Sequence, residues 1–490
     1  MNERRSFVIG LVALALAGIV RAAGLFSSGA PSGIDGGNWL AFGSFDRPGL
    51  VYPPVVPSLF ASLVGVVGPV TATTIAGTLA AIAPGLGLLS VLAWAGHART
   101  GALAALAVVL SGAIGEMAAW GGYPQPIATA SGIIALTAAA ARLHGAGRAS
   151  LAVVAIAFTG VVATSHLVAL LALAAIGVII ALAAVIDRAS LLRAVPVGAI
   201  ALAPFVLLFP TYATLASLGG QPSAGQAGDL QRILGPAWPA YFAIIIAIPI
   251  ALVVTHRRPA VAAEVRPRDQ ALLQAATAAG VTWLMAYALT GEPRLLYDLL
   301  VLAFFGAAAV GPVLVSLVRP TGHRELIAAV ALAAIVAVSA TGMAAFPDQV
   351  AYYRILSPDR FDTIQWLAKH APSQARSIMV ADVAGVPIGW WVEGLVRQET
   401  VYASDLRWLR FPSERDRARQ ANAFLYRSDF PTGSSAATAG RNGIAYVFLP
   451  SAGAFGIDPR HPPVGWLVVF SSGDAVVMAP SQTANEQHHG

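Results

Sequence analysis

Tyr52-Pro53-Pro54-Val55-Val56-Pro57-Ser58-Leu59-Phe60 opens an apolar stretch that runs to Gly68, and the reading of this stretch decides the topology of the chain. Three prolines stand at its start. The run is too short to cross a bilayer comfortably, because a membrane-spanning helix needs about 20 apolar residues. A helix lying along the outer leaflet fits it. Counted as a crossing, it would invert every later loop and destroy the charge asymmetry of the chain.

Outward from it, apolar runs fall at 6–23, 72–95, 102–119, 126–142, 150–164, 167–186, 191–210, 238–255, 271–290, 295–317 and 325–345. They predict a polytopic α-helical membrane protein with about eleven transmembrane helices. With the N-terminus in the cytoplasm, the loops at Arg99, Arg142 to Arg148, Arg188 to Arg193, Arg257 to Arg268 and Arg319 to Arg324 all fall inside. The opposite loops hold few cations, namely Arg47, Arg232 and Arg294. This is the positive-inside pattern. It places 24–71, 119–125, 164–166, 211–237 and 291–294 outside, together with the tail from about 346. The location it implies is a bacterial-type cytoplasmic (inner) membrane, with the C-terminal domain extracytoplasmic.

Composition agrees with this topology. The 490 residues are 57% hydrophobic and 11% charged, with a mean hydropathy of +0.71. Such a chain belongs in lipid. The net charge of +6 is spread over short loops, so it argues membrane orientation and excludes a nucleic-acid partner. Cysteine is absent, which removes disulfides, thiolate nucleophiles and thiolate metal sites. Met1-Asn2-Glu3-Arg4-Arg5 and the apolar run after it look like a signal peptide. They are read as an uncleaved first helix, because the polytopic remainder needs an anchored start.

Near Phe346 the composition changes. The domain division is a transmembrane part, 1–345, carrying the outer loop 24–71, and a small α/β domain, 346–490. Ser357-Pro358 reads as a cap with proline at the first helical position, followed by the stripe Phe361, Ile364, Leu367. Ser377 to Ala381 and Ile444 to Leu449 read as strands. Trp466 to Phe470 and Ala475 to Met478 read as a hairpin. Ser413-Glu414-Arg415-Asp416 opens another helix close to a capping box, and the polar end after Pro480 is expected to fray.

A few polar residues stand where chemistry is possible. Asp35, in Gly33-Ile34-Asp35-Gly36-Gly37-Asn38-Trp39, is a carboxylate between glycines just after a membrane helix. It could reach a metal, deprotonate an acceptor hydroxyl, or simply make a turn. Glu116 near the outer end of the third helix is a functional candidate or an acid reaching headgroup water. Tyr123 and Gln125, in Gly121-Gly122-Tyr123-Pro124-Gln125, line a groove or anchor the interface. His166 could bind a metal or a phosphate, or cap a helix end. Arg294, in Gly291-Glu292-Pro293-Arg294-Leu295-Leu296-Tyr297, opens a helix. Its fork matches phosphate, and the alternatives are a headgroup contact or a pairing with Glu292 or Asp298. Trp390-Trp391 could stack on sugar, sit on the membrane or form a core. No GxGxxG loop, phosphate-binding loop, Gly-x-Ser-x-Gly or HExxH is present.

Taken together, the layout resembles the GT-C superfamily of integral-membrane glycosyltransferases, which includes protein mannosyltransferases, aminoarabinose transferases and oligosaccharyltransferases. The resemblance rests on four short motifs: Asp35 in the first outer loop, Tyr52-Pro53-Pro54 before a short helix, Glu116 ending the third helix, and Pro293-Arg294-Leu295-Leu296-Tyr297 opening a late one. It implies an inverting transfer of sugar from a polyprenyl-phosphate carrier to a hydroxyl of a glycan, lipid or protein acceptor, on the extracytoplasmic side. Asp35 and Glu116 would be catalytic, and Arg294 with Tyr297 would hold the donor phosphate. His166, Tyr123, Gln125 and Tyr52 would line the groove. A divalent cation (Mg or Mn) would sit among Asp35, Glu116 and His166. Departures are that Asp35 is followed by Gly36 rather than a second acid, and that Trp390-Trp391 leads into Val392 rather than aspartate, so peptide-sequon recognition does not carry over. A flippase of lipid-linked glycans predicts paired intramembrane charges and inverted repeats, and neither is evident. A non-catalytic envelope scaffold predicts that the named residues do not converge.

Overall fold

The computed structural model describes residues 2–27, 29–47, 49–186, 190–218, 228–257, 265–317, 323–372 and 377–481. Arg188, Arg319, the middle of the 257–268 and 211–237 loops, and the polar end after 481 lie outside them. In chain order the helices are α1 (Glu3–Phe26), α2 (Gly36–Ser44), α3 (Val55–Val67), α4 (Pro69–Trp94), α5 (Ala98–Leu110), α6 (Gly112–Trp120), α7 (Pro124–Leu143), α8 (Ala149–Thr164), α9 (His166–Ile186), α10 (Ser190–Leu207), α11 (Phe209–Ser217), α12 (Asp229–Leu234), α13 (Trp238–Arg257), α14 (Pro267–Thr290), α15 (Arg294–Leu317) and α16 (His323–Tyr352). The tail adds α17 (Pro358–Lys369), β1 (Ser377–Val380), α18 (Gly389–Val396), β2 (Val401–Tyr402), α19 (Pro412–Tyr426), α20 (Gly433–Arg441), β3 (Ile444–Leu449), β4 (Trp466–Ser472) and β5 (Ala475–Pro480).

Among the described residues nine helices are long and apolar enough to cross a membrane, or ten if a bent pair counts as one span. The sequence predicted about eleven. The difference has two sources. α8 has 16 residues, roughly 24 Å at about 1.5 Å per residue, short of the ~30 Å hydrocarbon core. The run at 102–119 is broken at Ser111 into α5 and α6, bent by 51°. α3, with 13 residues, is a short apolar helix as expected and no span. It buries Val56, Pro57 and Phe60 while Leu59 and Val66 stay exposed.

The chain forms two compact units. One comprises 1–24, 77–118 and 122–349; the other comprises 25–76, 119–121 and 350–490. The break before the tail falls at 349/350, and residues 25–76 group with the tail.

In the first unit α7 and α15 are interior, with 72% and 78% of their spans buried, whereas the span of α16 is 17% buried. Ala128, Gly132, Ala135 and Ala139 keep α7 thin enough for α8, α9 and α14 to pack on it. On α1, Val8, Val12, Leu16 and Ile19 form an exposed apolar face suited to lipid. The break at Ser111 leaves carbonyls without helical partners. Buried Arg21 fills them: Nε and Nη2 donate to the Val109 carbonyl at 3.2 and 3.0 Å, and Nη2 donates to that of Ser111 at 2.9 Å. Its guanidinium lies 4.2 Å from the Phe346 ring centroid.

In the second unit the sheet order is β2-β1-β3-β5-β4, with β2, β1 and β3 parallel and β5 antiparallel to both neighbours. The strands and hairpin lie where the sequence placed them. Ser357 caps α17 by accepting from the Arg360 amide, and Phe361, Ile364 and Leu367 are buried. The capping box expected at Ser413 is absent: α19 starts at Pro412 with Phe411 as its cap residue, and Glu414 turns inward. A capping box stands instead at Thr432 and Ser435, opening α20. α18 lies directly on α2. A Cβ on Gly37 would come within 2.5 Å of the Trp391 backbone nitrogen, so only glycine allows this approach. Trp390 and Trp391 are 3% and 0% exposed, which makes them core and not a sugar platform.

Candidate functional site

The sequence-selected residues divide between the two units, with Asp35 and Tyr52 in one and Glu116, Tyr123, Gln125, His166, Arg294 and Tyr297 in the other.

Asp35 occupies the residue before α2, half-buried, on a tightly held backbone. Its amide donates to the Trp120 carbonyl at 3.0 Å, and its carbonyl accepts from the Trp39 amide at 3.0 Å. Gly33 (φ +89°) and Gly121 (φ +96°) let the two backbone segments touch; a Cβ on Gly121 would lie 3.0 Å from the Gly36 nitrogen. Two indoles complete the cradle. Trp39 Nε1 donates to the Gly121 carbonyl at 2.6 Å, and Trp391 Nε1 donates to the Gly33 carbonyl at 3.1 Å. Tyr52 packs on Trp39 with ring centroids 4.7 Å apart. The tail thus supplies one wall of the turn that carries Asp35.

Below this, a charged cluster ties the loop to the tail. Arg47 Nη2 pairs with Glu393 at 2.9 Å and with Glu414 at 3.1 Å, and its Nη1 donates to Asn38 Oδ1 at 2.8 Å. Arg417 pairs with Glu393 at 2.8 Å. Trp390 Nε1 and Tyr402 Oη both donate to Glu414, at 3.2 and 2.8 Å. Burial holds the Glu393 carboxyl above the usual carboxylate range, against the opposing pull of Arg47 and Arg417.

In the other unit, Arg294 is the first residue of α15. Its Nε and Nη2 donate to the two carboxylate oxygens of Glu292 at 2.8 and 3.2 Å, and 42% of its side chain is exposed. One turn on, Asp298 is buried and accepts from Thr129 Oγ1 at 2.7 Å, Trp283 Nε1 at 2.9 Å and Gln125 Nε2 at 3.0 Å. Gln125 also donates to the Arg294 carbonyl at 2.7 Å. Its amide therefore fixes the start of α15 against α7. Tyr123, before α7, and Tyr297 are both buried. Glu116, buried on α6, is engaged by Arg232 of α12, which also reaches Asp229 at 3.3 Å. His166, half-buried, begins α9 after the break at Ser165.

Among the described residues no group of three or more His, Asp or Glu side chains is gathered that could hold a metal ion. Asp298, Arg232, Arg21 and the Arg47 cluster were not singled out from sequence as sites. Asp298 had a legible signal, an acid one helical turn after Arg294 in an otherwise apolar helix.

No family model and no curated protein matches this sequence. Solved structures do. Crystal structures of ArnT from Cupriavidus metallidurans, one in the apo state and one bound to undecaprenyl phosphate, are 13% and 14% identical to the chain. Each matches 96% of this chain and 97% of its own length at a TM-score of 0.56. An Archaeoglobus fulgidus oligosaccharyltransferase tethered with an acceptor peptide, 13% identical, matches over 90% of this chain and 69% of its own at a TM-score of 0.49, too weak a likeness to build on. The chain is a polytopic helical membrane protein with a GT-C-like fold and a small C-terminal sheet domain. The likeness to ArnT, an aminoarabinose transferase, is at this identity one of fold.

Proposed function

We propose that the chain is an inverting membrane glycosyltransferase that moves a sugar from a polyprenyl-phosphate carrier to an acceptor hydroxyl on the extracytoplasmic side. The observation that carries this reading is the end-to-end fold likeness to ArnT, one structure of which holds undecaprenyl phosphate.

In this reading the N-terminus is cytoplasmic, the membrane is a bacterial inner membrane, and the donor enters sideways from the outer leaflet. Arg294 receives the donor phosphate. A guanidinium fork at the start of a helix offers two parallel charge-assisted bonds plus the helix's own amides. The phosphate exchanges with Glu292, whose carboxylate already occupies that fork. Tyr297 flanks the phosphate, and Gln125 keeps Arg294 in place through its carbonyl. Asp35 takes the proton from the acceptor hydroxyl while the oxygen attacks the anomeric carbon. The bond from that carbon to the phosphate oxygen breaks, and the electron pair leaves on the phosphate. A single displacement inverts the carbon. Glu116, His166, Tyr123 and Tyr52 help to orient the acceptor, which is a glycan, lipid or protein.

Purified protein is assayed with radiolabelled polyprenyl-phosphate sugars. Arg294→Ala is expected to lower transfer by at least about a hundredfold while thermal unfolding stays unchanged. Retained transfer discards the role of Arg294. A donor-bound experimental structure with Asp35 and Arg294 in separate crevices ends the reading.

A further inference from the structure

The tail sheet has a topological switch point. β1 and β3 are adjacent and parallel; the chain leaves β1 toward β2 on one side and leaves β3 toward β4 and β5 on the other. In open α/β sheets the crevice beyond the carboxyl ends of the strands at such a point is where ligands bind. The chain leaves β1 into Asp382, β2 into Ser404-Asp405 and β3 into Pro450-Ser451. A cleft of about 790 Å³ opens among these residues, within the size range of small-molecule sites. The end of α19 and the turn at Phe455 close its remaining side.

Its lining combines three aromatic rings, Tyr426, Phe430 and Phe455, with hydrogen-bonding groups. Tyr426, half exposed, stacks on Phe455 with centroids 5.5 Å apart and planes at 25°, and Phe430 meets Phe455 edge-on at 5.7 Å. The Tyr426 hydroxyl and the Gly385 amide both donate to Asp382. A carboxylate has about four acceptor positions, so Asp382 keeps capacity for further donors. Asp405 is held in place by the Arg407 amide and guanidinium at 3.0 and 2.6 Å. The same contacts hold its carboxyl below the usual range, and burial with the Asp382 contact holds the Tyr426 hydroxyl well above its own. Both groups therefore keep their acceptor and donor roles at neutral pH.

The charge balance selects the ligand. Two carboxylates, Asp382 and Asp405, outnumber the one guanidinium of the lining, Arg427, and disfavour phosphate and other anions. Among the described residues there is no set of three acids or histidines to hold a cation. A flat apolar face beside fixed acceptors suits a neutral sugar, whose C–H face lies on an aromatic ring while its hydroxyls donate to carboxylates. We propose that the tail domain binds a neutral carbohydrate in this cleft, with Tyr426 as the stacking platform and Asp382 as the hydroxyl acceptor. This binding does not depend on the transfer reaction proposed above.

The test uses the full-length protein in nanodiscs and a panel of short neutral gluco-, manno-, galacto- and arabino-oligosaccharides, read by calorimetry. At least one is expected to bind, with Tyr426→Ala and Asp382→Asn each weakening it by about tenfold and Arg294→Ala leaving it unchanged. Should either tail variant fail to fold, a photoreactive derivative of the binding sugar is expected to label residues 420–430 or 450–456 of the unaltered protein. Absence of binding across the panel, labelling elsewhere, or loss of binding in Arg294→Ala overturns the proposal. Transfer activity is measured separately, so its absence leaves the cleft result standing.

Discussion

Arg47→Met is the sharpest probe of how the loop between α1 and α4 is held. The Arg47 side chain is 1% exposed and bridges two carboxylates, those of Glu393 and Glu414, themselves 0% and 3% exposed. Methionine keeps the stem and removes the charge. Glu393 then retains Arg417, and Glu414 retains only the neutral donors Trp390 and Tyr402 among the partners described above. Breaking a buried ion pair from one side costs about 3–5 kcal/mol. For a cooperative unit of this size that is a fall of about 6–20 °C in Tm. The sign with pH follows from Glu393. Burial already holds its folded pKa above the ordinary value, against Arg47 and Arg417, and losing Arg47 raises it further. A carboxyl raised on folding contributes stability that is fully present below its unfolded pKa and is lost as pH rises through the folded pKa. The variant's deficit should therefore be largest near about pH 8 and shrink toward about pH 5. Tryptophan circular dichroism of the purified protein follows the transition, since Trp390 and Trp391 sit in this core. Adding Glu393→Gln and Glu414→Gln should recover at least half the loss, because the stranded charges are gone. A deficit below about 1 kcal/mol, or one equal at both pH values, refutes the reasoning.

Further expectations concern the same two units. Asp35→Asn should cut transfer by about 10²- to 10⁴-fold with donor KM unchanged; a rise in KM alone would make Asp35 a binding residue and not a base. Gly37→Ala should unfold the contact between α2 and α18, because the added carbon meets Trp391 backbone at 2.5 Å, whereas Gly65→Ala, with nothing within 4 Å, should be neutral or stabilising; equal Tm values for the two would contradict the packing. Asp298→Ala should lower thermal stability by about 1–3 kcal/mol by leaving the Trp283 indole and its companions without their acceptor, and Asp298→Asn by less.

Much of the fold was legible because its signals are local. Each apolar run reports its solvent without reference to any other part of the chain, and the regions found as helices match the runs read from sequence. The short helix after Tyr52-Pro53-Pro54 was also legible, since three prolines and a run of few residues cannot make a span. What failed was equally specific. Ser413 looked like a cap, yet Pro412 starts the helix and Glu414 is drawn inward by Arg47, Trp390 and Tyr402. The run at 102–119 reads as one helix because hydropathy does not register the break that Arg21 satisfies from α1. Nothing in the sequence signalled the tie that Gln125 makes between α7 and α15.

Taken alone, the amino-acid order determined that this protein is a multi-pass membrane protein built of long apolar helices and that an α/β tail follows. Those properties depend on hydropathy and period over windows of a few turns. Only the tertiary structure decided that the loop between α1 and α4 belongs with the tail, that Arg47 finds Glu393 across 346 positions of chain, and that Arg294 rests on Glu292 while Asp298 turns to neutral donors. A charged group's partner is set by which helices pack together. That packing is governed by contacts between distant residues, to which no local pattern is sensitive.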